Sequence, residues 1–93
     1  MLEFVWDERK NRANRSKHGI WFEEARQVFH DPRALKFYDS ENSVTEDRFL
    51  LLGESEPNRV LMIVFCERDG TDIRIISARK ATKKERNRYE EGI

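Results

Sequence analysis

Val60-Leu61-Met62-Ile63-Val64-Phe65-Cys66-Glu67 is the longest apolar run in the chain, and its reading decides the fold. It is rich in β-branched and aromatic residues and too short for a buried helix, so it reads as a central strand covered on both faces. Asp69-Gly70 follows as a hairpin turn signal, and Ile73-Arg74-Ile75-Ile76-Ser77-Ala78-Arg79 is the strand it returns. Upstream, Arg48 to Gly53 and Ala34 to Asp39 read as two further strands. They are separated by the polar loop Ser40 to Thr45, and Glu54 to Asn58, with Pro57, turns into the central strand.

Helical signals flank these strands. Phe4-Val5-Trp6 reads as a short strand ending at Asp7, and Asp7 is a fair N-cap for a polar helix reaching His18, with Gly19 as its left-handed stop. Between Trp6 and Ile20 the only hydrophobic residue is Ala13, so this helix has almost no apolar stripe. Lys10, Asn14 and Lys17 recur at i, i+4 and i+7 and share one face. A second helix, Phe22 to Phe29, carries Phe22, Ala25, Val28 and Phe29 on one side and ends at Asp31-Pro32. Thr82-x-x-Glu85 is a capping box that opens a last helix, which runs to about Glu91 and stops at Gly92. The expected fold is α+β: an antiparallel sheet of three to four strands, with N-terminal helices and a C-terminal helix packed on one face.

Composition narrows the class. At 93 residues the chain is one domain, 1–93, with a thin core. Hydrophobic residues make up 38% and charged residues 39%, and no apolar run approaches the ~20 residues that span a bilayer. Met1-Leu2-Glu3-Phe4 lacks the basic start and apolar stretch of a signal peptide. Cys66 is the single cysteine, so there is no disulfide framework, and a reducing cytoplasm is the expected setting. Lys plus Arg equals Asp plus Glu at 18 each, yet the charges are segregated. Residues 7–18 and 79–88 are basic, whereas 39–56 holds Asp39, Glu41, Glu46, Asp47, Glu54 and Glu56 against Arg48. If the two ends meet in space they form a patch that holds phosphates; otherwise they are solvated helix faces. The acidic middle faces a basic partner or keeps a loop soluble.

His18 and His30 are not spaced as a helical ligand pair, and neither a Gly-rich phosphate loop nor a G-x-S-x-G is present. Cys66 reads as a core filler. What remains is Arg, Lys, Tyr and a few carboxylates, a set that suits RNA cleavage without a metal. RNA brings its own nucleophile, the 2′-hydroxyl. The protein has to remove that proton, hold the charge on phosphorus and protonate the leaving 5′-oxygen. Arginine grips phosphate with a bidentate fork. Arg74 and Arg79 are five apart on one strand, so strict alternation puts them on opposite faces unless the chain leaves the sheet. His18 is the natural proton carrier by residue type, or else a helix-end residue facing the dipole. Lys17 lies beside it. Glu67 and Arg68 end the central strand, and Tyr89 lies on the last helix, where packing into the core is the alternative. Lys10, Asn14, Lys80, Lys83 and Lys84 are the remaining expected RNA contacts. Trp6 and Trp21 offer stacking surfaces, with core packing as the plainer role.

The stretch Phe4-x-Trp6-Asp7-x-x-Lys10-x-x-x-Asn14-x-x-Lys17-His18-Gly19-Ile20 resembles the opening of the BrnT-type toxins. Phe22-Glu23-Glu24-Ala25 with Val28-Phe29-x-Asp31-Pro32 does so too. The segment Ile73 to Arg79, with Ala81-Thr82-x-x-Glu85-x-x-x-Tyr89, is similar to that family's closing signature. One departure is Trp21, where the family usually carries a capping Asp or Ser. The resemblance implies a type II toxin with a RelE-like ribonuclease fold that cleaves RNA and slows translation. It also implies neutralisation by a BrnA-type ribbon-helix-helix antitoxin, through which alone operator DNA is bound. No cofactor, metal or membrane is expected. The rival readings are a non-catalytic RNA-binding domain and a protein-interaction module.

Overall fold

A computed structural model describes residues 2–68 and 70–92. The elements in chain order are β1 (Glu3–Val5), α1 (Glu8–His18), α2 (Phe22–Gln27) with a 3₁₀ turn (Val28–His30), and β2 (Leu35–Tyr38). They continue with a 3₁₀ turn (Ser40–Asn42), β3 (Arg48–Glu54), β4 (Val60–Arg68), β5 (Asp72–Lys80) and α3 (Lys83–Glu91). The sheet order is β1-β5-β4-β3-β2, so β4 is central, as its continuous apolar run implies. Two expectations need correction. The sheet has five strands and is mixed, because the three-residue β1 pairs in parallel with β5. Phe4-Val5-Trp6 reads as a strand from the sequence, but three residues carry no alternation by which the sequence could reveal which strand they join. The helices also lie on both faces rather than one.

Alternation explains the second correction. Leu51, Leu61, Ile63, Phe65, Ile73, Ile75 and Ala78 pack with Ile20, Phe22, Ala25 and Val28, which places α2 and the residues leading into it on one face. Leu52 and Met62 point the other way and pack with Tyr89 of α3. Leu35, Phe37, Leu50, Val60 and Ala81 flank this second, smaller cluster. An apolar run like Val60–Cys66 therefore serves two layers.

With no apolar stripe, α1 is held by two buried asparagines, Asn11 and Asn14. Asn11 Nδ2 donates to Glu8 Oε1 and Glu23 Oε1, each at 2.9 Å, and its Oδ1 accepts from Phe22 N at 2.7 Å. That last bond resolves the departure at Trp21. Trp21 brings no capping side chain to α2, so a residue of α1 satisfies the first helical N–H instead. Trp21 is 44% exposed, with the Arg15 guanidinium 5.6 Å above its ring. Trp6 is half-buried, edge-on to Phe22, and its indole N–H donates to Glu8.

The other punctuation falls where expected. Asp7 accepts from Arg9 N at 2.8 Å, and Gly19 and Gly92 sit at φ 76°, the left-handed stops of α1 and α3. The Thr82–Glu85 capping box is complete. Gly70 has φ 73°, consistent with the β4–β5 turn, while Asp69 of that turn lies outside the described residues.

Candidate functional site

The decisive feature is an irregularity in the β4–β5 ladder. Val64 pairs with Ser77 but Phe65 pairs with Ile75, so Ile76 is an extra residue, a β-bulge. The bulge resets the alternation. Arg74 lies opposite Cys66, Ser77 opposite Val64, and Arg79 opposite Met62. Residues 62, 64 and 66 share one face of β4, so Arg74, Ser77 and Arg79 share it too. The five-residue spacing that separates the two arginines in a regular strand unites them here. Successive steps along this row are about 7 Å.

The outer edge of β5 is the second component. β1 pairs only with Asp72, Ile73 and Arg74. Beyond that point α1 takes over the edge through Asn14. Its Nδ2 donates to Ala78 O at 2.9 Å and Ile20 O at 2.8 Å, and its Oδ1 accepts from Ala78 N at 3.1 Å. The side-chain amide thus replaces a strand partner. It sets α1 so that Lys10, Ala13, Lys17 and His18 line an open hollow of about 220 Å³ with Ile76 and Ser77 at the bulge. Three cationic or titratable groups of α1 therefore border the row that carries the two arginines.

Both guanidinium groups are held by carboxylates. Glu85 takes Arg79 in a fork, with Nη1 donating to Oε1 at 2.8 Å and Nη2 to Oε2 at 2.9 Å. The bond to Arg79 is the main cause that brings the Glu85 carboxyl down to about 2, and the same bond raises Arg79 above its ordinary value. Arg74 donates through Nη2 to Glu46, on the loop before β3, and lies 3.9 Å from the Cys66 sulfur. Its Nε is buried with no hydrogen-bond partner among the described residues. Cys66 is fully buried, and that burial pushes its thiol up, as befits a core filler rather than a nucleophile.

Several expected site residues stand elsewhere. Glu67 pairs with Ile73 and so lies on the opposite face from Arg74. There it is ion-paired to Lys36, whose ammonium is 4.4 Å from the Phe49 ring centroid. Arg68, one residue on, is on the Arg74 face by register and is exposed at the strand end. Tyr89 is buried in the smaller cluster and donates to Asp31 Oδ2 at 2.6 Å. Burial, then that bond, pushes its phenol up to about 12, and the hydroxyl is engaged by Asp31 within the smaller cluster. Asn14, expected as an RNA contact, has its amide committed to backbone groups. Lys80 alternates away from Arg79 and lines a different hollow with Arg59, Arg86 and Glu90. Lys83 and Lys84 are exposed on the first turn of α3, next to Glu85. Among the described residues no three His, Cys, Asp or Glu side chains converge as metal ligands would. No described helix is long and apolar enough to cross a membrane.

A family model described as "Ribonuclease toxin, BrnT, of type II toxin-antitoxin system" matches residues 6–85. The chain belongs to this BrnT family. Among solved structures it is similar to the crystal structure of the Brucella abortus ribonuclease toxin BrnT. The TM-score is 0.70 with 24% identity over 89% of this chain and 100% of that one. At that identity the likeness speaks for the fold. No match was found among curated proteins. The BrnT match takes in Lys10, Lys17, His18, Arg74, Arg79 and Glu85 and ends before Tyr89.

Three participants escaped the sequence reading of this BrnT chain. Ser77 is a small polar residue in an apolar strand, a signal of a surface left open. Glu46 and Glu85 looked like members of an acidic loop and a helix cap, and only the tertiary fold shows the arginines they meet.

Proposed function

We propose that this chain is an endoribonuclease that cleaves RNA by general acid–base chemistry without a metal, so stopping translation. The observation that carries it is the Ile76 bulge, which sets Arg74 and Arg79 on one face beside the hollow that holds Lys10, Lys17 and His18. In this reading the RNA strand lies along β5. Arg79 and Arg74 hold the non-bridging oxygens of the scissile phosphate, whose added charge in the five-coordinate state is stabilised by fixed cations. The 2′-oxygen bonds to phosphorus as its proton leaves to a base, the bond to the 5′-oxygen breaks, and that oxygen takes a proton. The products are a 2′,3′-cyclic phosphate and a 5′-hydroxyl. His18 moves a proton, with Lys17 beside it holding the chain's charge. Lys10, Arg68, Lys83 and Lys84 are exposed cations that extend the phosphate track.

Membership of a toxin–antitoxin family supports an antitoxin partner. We take it to be BrnA-type, with a ribbon-helix-helix part that carries the pair to operator DNA. The acidic loop bearing Asp39, Glu41 and Asp47 is the surface offered to a basic segment of that partner.

The test is purified protein with single-stranded RNA in chelator, followed on a gel, alongside growth on induction. Fragments ending in 2′,3′-cyclic phosphate, and loss of both cleavage and growth arrest in Arg79→Ala, are expected. RNA that shifts but stays intact would favour a binding domain. No shift at all would favour an interaction module.

A further inference from the structure

We infer that Glu85 is a positioning residue for RNA cleavage: it fixes Arg79 so that one edge of the guanidinium stays open for phosphate. This rests on the reading of Arg79 given above. A guanidinium has an end-on edge, Nη1 with Nη2, and a side-on edge, Nε with Nη2, and each can take a bidentate oxyanion. Glu85 occupies the end-on edge, and Lys80 O takes a further long contact from Nη1 at 3.3 Å. Among the described residues Arg79 Nε donates to nothing, so the side-on edge is the one presented to a ligand.

Glu85 is itself immobilised. Its Oε1 accepts from Thr82 N at 2.9 Å and its own N–H donates to Thr82 Oγ1 at 3.2 Å, the two halves of the capping box. The carboxylate therefore joins the start of α3 to the phosphate face of β5. Its side chain is 24% exposed and that of Arg79 is 41%, so the pair is held from the protein side while Arg79 reaches solvent. The helix cap thereby serves as the support of the arginine fork, the kind of outer contact that keeps a binding group within the tolerance catalysis needs.

Four variants separate this role from plain helix stability. Glutamine also serves at the third position of a capping box, so Glu85→Gln should keep the helix cap; it loses the ion pair to Arg79 and melts earlier at neutral pH, so its kinetics are read at a temperature where it is fully folded. Its kcat on 5′-labelled mixed-sequence single-stranded RNA should fall on the order of tenfold to a hundredfold, the cost of a loosened catalytic group, with KM little changed. Glu85→Asp keeps the charge but is one methylene too short for the fork, and should slow for the same reason. Thr82→Ala removes the cap hydroxyl but keeps the backbone N–H that holds the Glu85 carboxylate, and should melt earlier while retaining kcat. Glu85→Gln added to Arg79→Ala should cause no further loss, because Glu85 acts through Arg79. Wild-type kcat in Glu85→Gln and Glu85→Asp, with Arg79→Ala inactive, would overturn the inference and leave the cleavage reading standing. Full activity in Arg79→Ala, or no cleavage by wild type, would overturn both.

Discussion

Replacing Asn14 with Ala should be among the most destabilising single changes on the polar surface of α1. The buried amide donates to Ala78 O and Ile20 O and accepts from Ala78 N. Alanine removes the side-chain acceptor of the Ala78 N–H, and a stranded buried donor costs about 1–3 kcal/mol. The two carbonyls each lose a donor as well, so a total near 3 kcal/mol is expected from these bonds. For a domain whose whole stability is about 5–15 kcal/mol, that is a large share. It corresponds to a fall of roughly 12–24 °C in melting temperature at this chain length. Asn14→Asp is the control. It keeps the shape but offers only acceptors to two carbonyls, so at neutral pH it should be at least as damaging. Urea unfolding followed by tryptophan fluorescence reads both. A loss below about 1 kcal/mol in both variants would refute the reasoning, because α1 would then not depend on the amide that stands in for a strand.

Four further outcomes follow from the same geometry. Tyr89→Phe should cost about 1–2 kcal/mol from the lost bond to Asp31 and leave RNA cleavage at the wild-type rate, read by denaturation and the gel assay. Because the Tyr89 phenol is held up to about 12, its contribution is complete below about pH 10 and is lost as pH rises from there towards about 12, a slope that Tyr89→Phe removes from the stability profile. Glu85 works in the opposite sense. Its carboxyl lies at about 2 against an ordinary 4.5, so its contribution is present above pH 4.5 and fades as the solution is acidified towards 2; Glu85→Gln should flatten that limb in an acid titration of unfolding. Gly53→Ala should destabilise by about 1–3 kcal/mol, since its Cβ would meet Val28 Cγ1 at 2.8 Å and Ala34 Cβ at 2.9 Å, measurable as a lowered midpoint in denaturant.

The strands and helices were legible where the sequence carries local chemistry. Val60–Cys66 announced the central strand, and Asp7, Gly19, Thr82, Glu85 and Gly92 marked helix ends with the residues that such ends require. β1 was not legible as part of the sheet, because three residues pairing with a strand nearly seventy positions away leave no local trace. The same applies to α3, placed on the far face by Tyr89 packing against Leu52 and Met62. At the site, Lys17, His18, Arg74 and Arg79 were picked out by type, but the face that the two arginines share, with Ser77 between them at the hollow of Lys17 and His18, depends on one inserted residue, Ile76. A bulge in an all-apolar Ile75-Ile76 pair has no glycine to signal it. Glu67 shows the converse: its type and position suited the site, and a one-residue difference from Arg68 put it on the wrong face.

The most direct measurement is an NMR titration of ¹⁵N-labelled protein with a single-stranded 2′-O-methyl oligonucleotide, which lacks the nucleophile and so stays intact. Signals of Lys17, His18, Ile76, Ser77 and the Arg74 and Arg79 side chains should move together along one binding curve, with Lys36 and Glu67 unaffected. Shifts gathered instead on the Lys36 and Glu67 face, with the bulge residues silent, would contradict the claim that β5 and α1 together grip the RNA strand.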